Sequence, residues 1–126
     1  MLSLFMKKKL PEPSGWTLNT GSEDFPVYPE IFRDYIEGML SGILAGGTEF
    51  LILSPPKPIE HVAFIQTCPD NEDGFLHIEA GYDRKFDDGS VMLLGSDRRT
   101  KAEVLEMFVT FFETGRVDTT GWFEVR

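Results

Sequence analysis

Cysteine, histidine and long apolar runs are scarce in this chain of 126 residues. It has one cysteine, Cys68, and two histidines, His61 and His77. A single cysteine excludes a framework of internal disulfides and favours a reducing compartment. No apolar run approaches the roughly 18 residues that a membrane-spanning helix needs. The lysines in MLSLFMKKKL follow the apolar residues, which is the reverse of an export signal. We therefore expect a cytoplasmic protein without a membrane span.

Basic residues are also few. The chain carries 12 lysines and arginines against 21 acidic residues, a net charge of −9. Eight acidic and two basic residues lie between Glu60 and Asp88. Because nucleic-acid binding relies on lysine and arginine to replace the counterions of phosphate, the charge argues against a nucleic-acid partner. It is compatible with a basic protein partner, and equally with simple solubility, which requires no partner.

The motifs of common catalytic and cofactor sites are missing. There is no G-x-S-x-G nucleophile turn, no glycine-rich phosphate loop and no G-x-G-x-x-G fingerprint. His61 and Cys68 are seven positions apart, about 23 Å in an extended strand, which is too far to share one metal ion. An EF-hand register that begins at Asp70 fails because its fifth position is Gly74. We predict no catalytic residue, no cofactor and no metal ligand.

The apolar residues that are present follow regular periods. A broad apolar stripe with a helical period predicts a helix over residues 27–47, ended by a glycine pair. A second helix is predicted from Thr100, because Thr100 and Glu103 have the spacing of a capping box, and Gly115 closes it. Apolar or alternating stretches predict strands at 49–54, 61–67, 75–83, 87–96 and 121–126.

These elements predict an α+β fold. We expect an antiparallel sheet of four to five strands with two helices packed on one face, in the order α-β-β-β-β-α-β. Residues 1–26 are predicted to form a loosely ordered N-terminal segment, and residues 27–126 a single α+β domain. Short turns between the strands make the antiparallel arrangement the natural one.

The strand at 75–83 carries the clearest polar pair. Its alternation puts Leu76, Ile78, Ala80 and Tyr82 on one side, and His77 and Glu79 on the other. We interpret His77 and Glu79 as part of a sheet face in bulk water, not as a catalytic pair. With the acidic turns at both ends of the strand they form a candidate interaction surface, which consists of Asp70, Glu72, Asp73, His77, Glu79, Asp83, Asp87 and Asp88.

Three functions are compatible with these features. The first is a small acidic interaction protein without catalysis that binds a basic protein. The second is a small-ligand-binding protein or enzyme with a site near His77, Glu79 and Tyr82. The third is a homo-oligomeric structural subunit that pairs through the C-terminal strand 121–126.

In size, acidity and mixed α/β character the chain is similar to small immunity proteins that neutralise secreted bacterial toxins. The likeness rests on no motif, and no residue role is carried over from it. It implies a toxin-neutralising function as one form of the interaction hypothesis, and leaves the oligomeric state open.

Overall fold

A computed structural model describes residues 13–21 and 23–125 of the protein. In this part of the chain, seven antiparallel strands form one sheet, in the spatial order β2-β1-β3-β4-β5-β6-β7. The strands are β1 (Thr17–Asn19), β2 (Asp24–Pro26), β3 (Leu51–Ser54), β4 (Val62–Pro69), β5 (Leu76–Lys85), β6 (Val91–Arg99) and β7 (Phe123–Glu124). The helices are α1 (Phe32–Leu44), which follows a 3-10 turn at Pro29–Ile31, and α2 (Lys101–Thr114).

The predicted α+β class and antiparallel sheet are confirmed, but four to five strands was too few. The element order begins with two further strands, β1 and β2, before α1. Leu18 of β1 pairs with Phe25 of β2 on one side and with Leu53 of β3 on the other. Strands of three residues are too short to show an alternating pattern in sequence. The described part of the segment 1–26 thus extends the sheet, whereas residues 1–12 and Ser22 lie outside the described residues.

The helices begin and end for local reasons. The predicted helix 27–47 is shorter in the structure, with Pro29 opening the 3-10 turn, where its missing N–H is not needed. The capping box predicted for α2 is present, because the Thr100 side chain accepts from the Glu103 N–H and the Glu103 carboxylate accepts from the Thr100 N–H. Gly115 ends α2 with a φ of 74°. No helix among the described residues is long and apolar enough to cross a membrane.

The core lies between one face of the sheet and the two helices. Buried residues of α1, α2 and alternate positions of β3, β4 and β5 form a single cluster. Trp16, just before β1, ties the N-terminal strands to α2, because its ring makes edge contacts with Phe111 and Phe112, each at 5.2 Å between centroids. We call the opposite face of the sheet, which carries Ile52, Gln66, His77, Glu79 and Leu93, the open face.

Candidate functional site

The centre of the open face is a hydrogen-bonded group of four side chains from three adjacent strands. On β5, His77 places Nδ1 2.6 Å from Oδ1 of Asp97 on β6. Its Nε2 lies 2.8 Å from Oε2 of Glu79. The other oxygen of Glu79 accepts from the Gln66 amide on β4 at 2.6 Å. We call Gln66, His77, Glu79 and Asp97 the His77 cluster.

The cluster is more enclosed than the sequence indicated. The side chains of His77 and Glu79 are only 17% and 15% exposed, so the interpretation that both stand in bulk water is wrong. The His77 ring lies against Gly95 of β6, where an added Cβ would be 3.1 Å from His77 Cε1 and 2.8 Å from a methyl group of Val125. The Phe123 ring of β7 lies beside the histidine ring, and the two ring centroids are 6.1 Å apart. Alternation along one strand cannot reveal this cover, because it comes from neighbouring strands.

A β-bulge in β6 aims Asp97 at His77. Leu76 pairs with Arg99 and Ile78 with Ser96, so that two residues of β6 stand opposite the single residue 77. Arg98 in the bulge has a φ of 53°, which is uncommon for a residue with a side chain. Its N–H donates to the carboxylate of Asp70 in the β4–β5 turn, and this hydrogen bond holds the pKa of Asp70 below its usual value.

Replacing Arg98 by glycine is expected to stabilise the protein. Glycine adopts a positive φ without the steric cost of a Cβ, so the free energy of unfolding should rise by about 1 kcal/mol in urea titrations. Arg98→Ala is the matched control, because it removes the same charge and keeps the unfavourable φ. Equal stabilities of the two variants would show that the bulge carries no strain.

The geometry of the cluster favours the protonated form of His77. A carboxylate accepts hydrogen bonds but cannot donate them, and a neutral imidazole has a single N–H. Both ring nitrogens of His77 face carboxylates, so only the imidazolium can donate to each. Burial acts to lower the pKa of His77, but the hydrogen bonds with Glu79 and Asp97 outweigh it, and the pKa is raised. Protonated His77 has no lone pair to act as a base or to bind a metal.

A shallow cleft of about 280 Å³ opens beside the cluster. Its lining residues are Phe50, Ile52, Gln66, Thr67, Cys68, His77 and Glu79. Cys68 stands directly opposite His77 in the β4–β5 pairing. Burial, and then the nearby carboxylates, raise the pKa of Cys68, so its sulfur stays a thiol near neutral pH and is a poor nucleophile. The cleft therefore combines an apolar wall, formed by Phe50 and Ile52, with a polar side that includes one carboxylate, that of Glu79.

The acidic residues of the predicted surface are not all brought together. Asp70, Glu72 and Asp73 precede β5, whereas Asp87 and Asp88 follow it. An extended strand of the ten residues of β5 is about 33 Å long, so the two acidic turns lie at opposite ends of the sheet. The hydrogen bond from Arg98 connects Asp70 to the bulge beside the His77 cluster.

Two other predicted site residues lie apart from the cluster. Asp83 pairs with Nδ1 of His61 at 3.0 Å, near the far end of β5. Tyr82 packs against the core on the helix side of the sheet, as the alternation of side chains along β5 predicts. It does not line the cleft beside His77. A site built from His77, Glu79 and Tyr82 together is therefore not formed.

Sequence reasoning missed Gln66 and Asp97. Gln66 is directly opposite Glu79 in the β4–β5 register, and a correct pairing of the two predicted strands would have found it. Asp97 had no such signal, because the bulge shifts the β5–β6 register by one residue.

Comparisons with known proteins add no function. No match is found when the chain is compared with models of protein families, with curated proteins and with solved structures. Within residues 13–21 and 23–125, no three histidine, cysteine, aspartate or glutamate side chains are placed to hold a metal ion. The geometry and charge of the open face are the features that bear on function.

Proposed function

We propose that this is a small acidic interaction protein without catalysis, and that its open face binds a basic segment of a protein partner. The observation that carries the proposal is the make-up of this face, where apolar side chains surround the His77 cluster and, within residues 13–21 and 23–125, no helix covers them. Aromatic residues are enriched at protein-binding surfaces relative to the rest of the protein surface, and charged groups placed among them give specificity for a partner of opposite charge.

The apolar part of the open face extends over several strands. Phe64 lies across Gly81, and Phe50 and Ile52 line the cleft. At the β6–β7 side, Val91 is 52% and Phe123 45% exposed. Exposed apolar side chains that gather on one sheet face mark a contact surface more strongly than isolated ones do.

The charge of the face selects a basic partner. With His77 protonated, the His77 cluster carries a net charge of −1, because Glu79 and Asp97 are opposed by one imidazolium. Within the described part of the chain, no lysine or arginine pairs with either carboxylate. Together with the overall charge of −9, this favours the approach of a cationic segment.

The other two functions have less support. Catalysis at His77 is disfavoured because both ring nitrogens are engaged with carboxylates. Pairing through the C-terminal strand is disfavoured because β7 has two residues, and a short edge strand offers few backbone groups to a second chain. The toxin-neutralising role is a narrower hypothesis, and it predicts that a secreted basic protein is encoded beside this one.

Binding of a tetra-arginine peptide, acetylated and amidated at its ends, tests the proposal. In amide NMR titrations, we expect the shifted signals to map to the open face, around Gly95 and the His77 cluster. Glu79→Gln should weaken the affinity about tenfold, because Glu79 is largely shielded from water. Asp87→Asn removes the same charge from a distant turn and should change the affinity less than about twofold.

A tetra-citrulline peptide, the uncharged isostere, is the control for charge and should not bind. The proposal is wrong if tetra-arginine does not bind, if its shifts map to the acidic turns alone, or if Glu79→Gln and Asp87→Asn weaken binding equally. Equal losses would mean that net charge, not the open face, attracts the peptide.

A further inference from the structure

We infer that the proton on His77 regulates the open face, and that its loss strengthens the binding of a cationic partner. This inference rests on the proposed function and adds regulation by pH to the same surface. It is carried by the placement of two carboxylates against the two nitrogens of one enclosed imidazole.

Protonation closes the His77 cluster. The imidazolium donates to Asp97 through Nδ1 and to Glu79 through Nε2, so both carboxylates are occupied by an internal cation. A guanidinium or ammonium group of a partner must compete with this cation for the same oxygens. Docking is therefore weakest when His77 is charged.

Deprotonation opens the cluster. When His77 releases one proton to solvent, it keeps a single N–H, which serves one carboxylate, while its new lone pair faces the other. That carboxylate loses its hydrogen-bond donor, and a cationic group of the partner can take the donor's place. The net charge of the cluster also changes from −1 to −2, which further favours a basic segment.

The titratable groups that face His77 come from the strands and the turn packed around it. The titratable groups that face it are Cys68 from β4, Asp70 from the β4–β5 turn, Glu79 from β5 and Asp97 from β6. Phe123 from β7 is uncharged. Burial raises the pKa of the Cys68 thiol above its usual 9.0, and the hydrogen bond from the Arg98 N–H lowers the pKa of Asp70. Among these described groups, the imidazole of His77 is the one whose ordinary pKa lies nearest neutral pH.

Linkage gives a second, reciprocal effect. If deprotonation strengthens binding by some factor, a bound cation must weaken proton binding at His77 by the same factor, which lowers the pKa of His77 by the logarithm of that factor. In the free protein this pKa is raised above 6.5. The stabilisation that protonated His77 contributes is therefore complete below about pH 6.5 and is lost as the pH rises through the raised value.

The test follows the imidazole signals by NMR between pH 5.5 and 8.5, with and without the tetra-arginine peptide. His61→Gln is the matched control, since it removes the other histidine and leaves only the His77 signal. We expect a His77 pKa above 6.5 in the free protein, and a decrease of about 0.7 or more when the peptide saturates it. The affinity should be at least about fivefold higher at pH 8.5 than at pH 5.5.

The same affinity ratio is expected for His61→Gln, and a ratio near one for His77→Gln, which cannot titrate. Binding that is equally strong at both pH values in the wild-type protein would overturn this inference and leave the proposed function standing. A His77 pKa at or below 6.5 would also overturn it. Absence of peptide binding at both pH values, with the His77 pKa raised, would overturn the proposed function and with it the regulation.

Discussion

Replacing Phe111 by alanine is expected to lower the free energy of unfolding by about 3–5 kcal/mol. Phe111 has no exposed surface and is among the largest fully buried side chains. Its ring also meets the edge of Trp16, which leads into β1, so its loss leaves a cavity where α2, the sheet and the N-terminal strands meet. Cavity formation adds to the lost transfer energy because a packed core relaxes only in part.

Urea titration followed by tryptophan fluorescence measures this effect, since Trp16 lies in the affected contact. Phe123→Ala is the control, because the Phe123 ring is on the open face and nearly half exposed. Its removal should cost less than about 1 kcal/mol. Similar losses for the two variants would mean that Phe111 contributes no more to the stability of the core than a half-exposed ring does.

Gly81→Ala is expected to destabilise the protein by about 1–3 kcal/mol. A Cβ at this position would overlap the Phe64 ring, which lies across the glycine on the open face. Either the ring or the backbone of β5 must therefore move. Gly38→Ala on α1 is the control for the same chemical change, because an added Cβ there meets no atom within 4 Å. It should raise the stability by about 0.5–1 kcal/mol, owing to the better helix propensity of alanine.

A double-mutant cycle tests whether the contact with Phe64 causes the loss of stability in Gly81→Ala. In a Phe64→Ala background the space above Gly81 is empty, so Gly81→Ala should cost less than about 0.5 kcal/mol, and the two sites should be coupled by about 1–3 kcal/mol. Additive losses, measured by urea titration of the four proteins, would show that the close approach of Phe64 is not the source of the effect.

Local features of this fold were predictable where short-range interactions decide them. The capping box at Thr100 and Glu103 involves residues three apart, and both of its hydrogen bonds form. The alternation that buries Leu76, Ile78 and Ala80 is a property of one strand. β1 and β2 were not predictable, because each has three residues and forms only through pairing with distant partners.

The candidate site was predictable only in part, for the same reason. His77 and Glu79 were found as neighbours on one side of a strand. Their enclosure depends on Gly95 and Phe123, which lie 16 or more positions further along the chain. The contact with Asp97 depends on a bulge held by Asp70, and no local pattern records that hydrogen bond.

The sequence by itself determined the acidity of the protein, its α+β class, its principal helices and strands, and the side of β5 on which His77 stands. Composition and short periodic patterns suffice for these, because each depends on residues that are close in the chain. The tertiary structure decided the surroundings of His77 and the direction in which its pKa moves. Cross-strand register and one bulge bring a carboxylate to each nitrogen of the ring, and an imidazole placed between two acceptors holds its second proton more tightly.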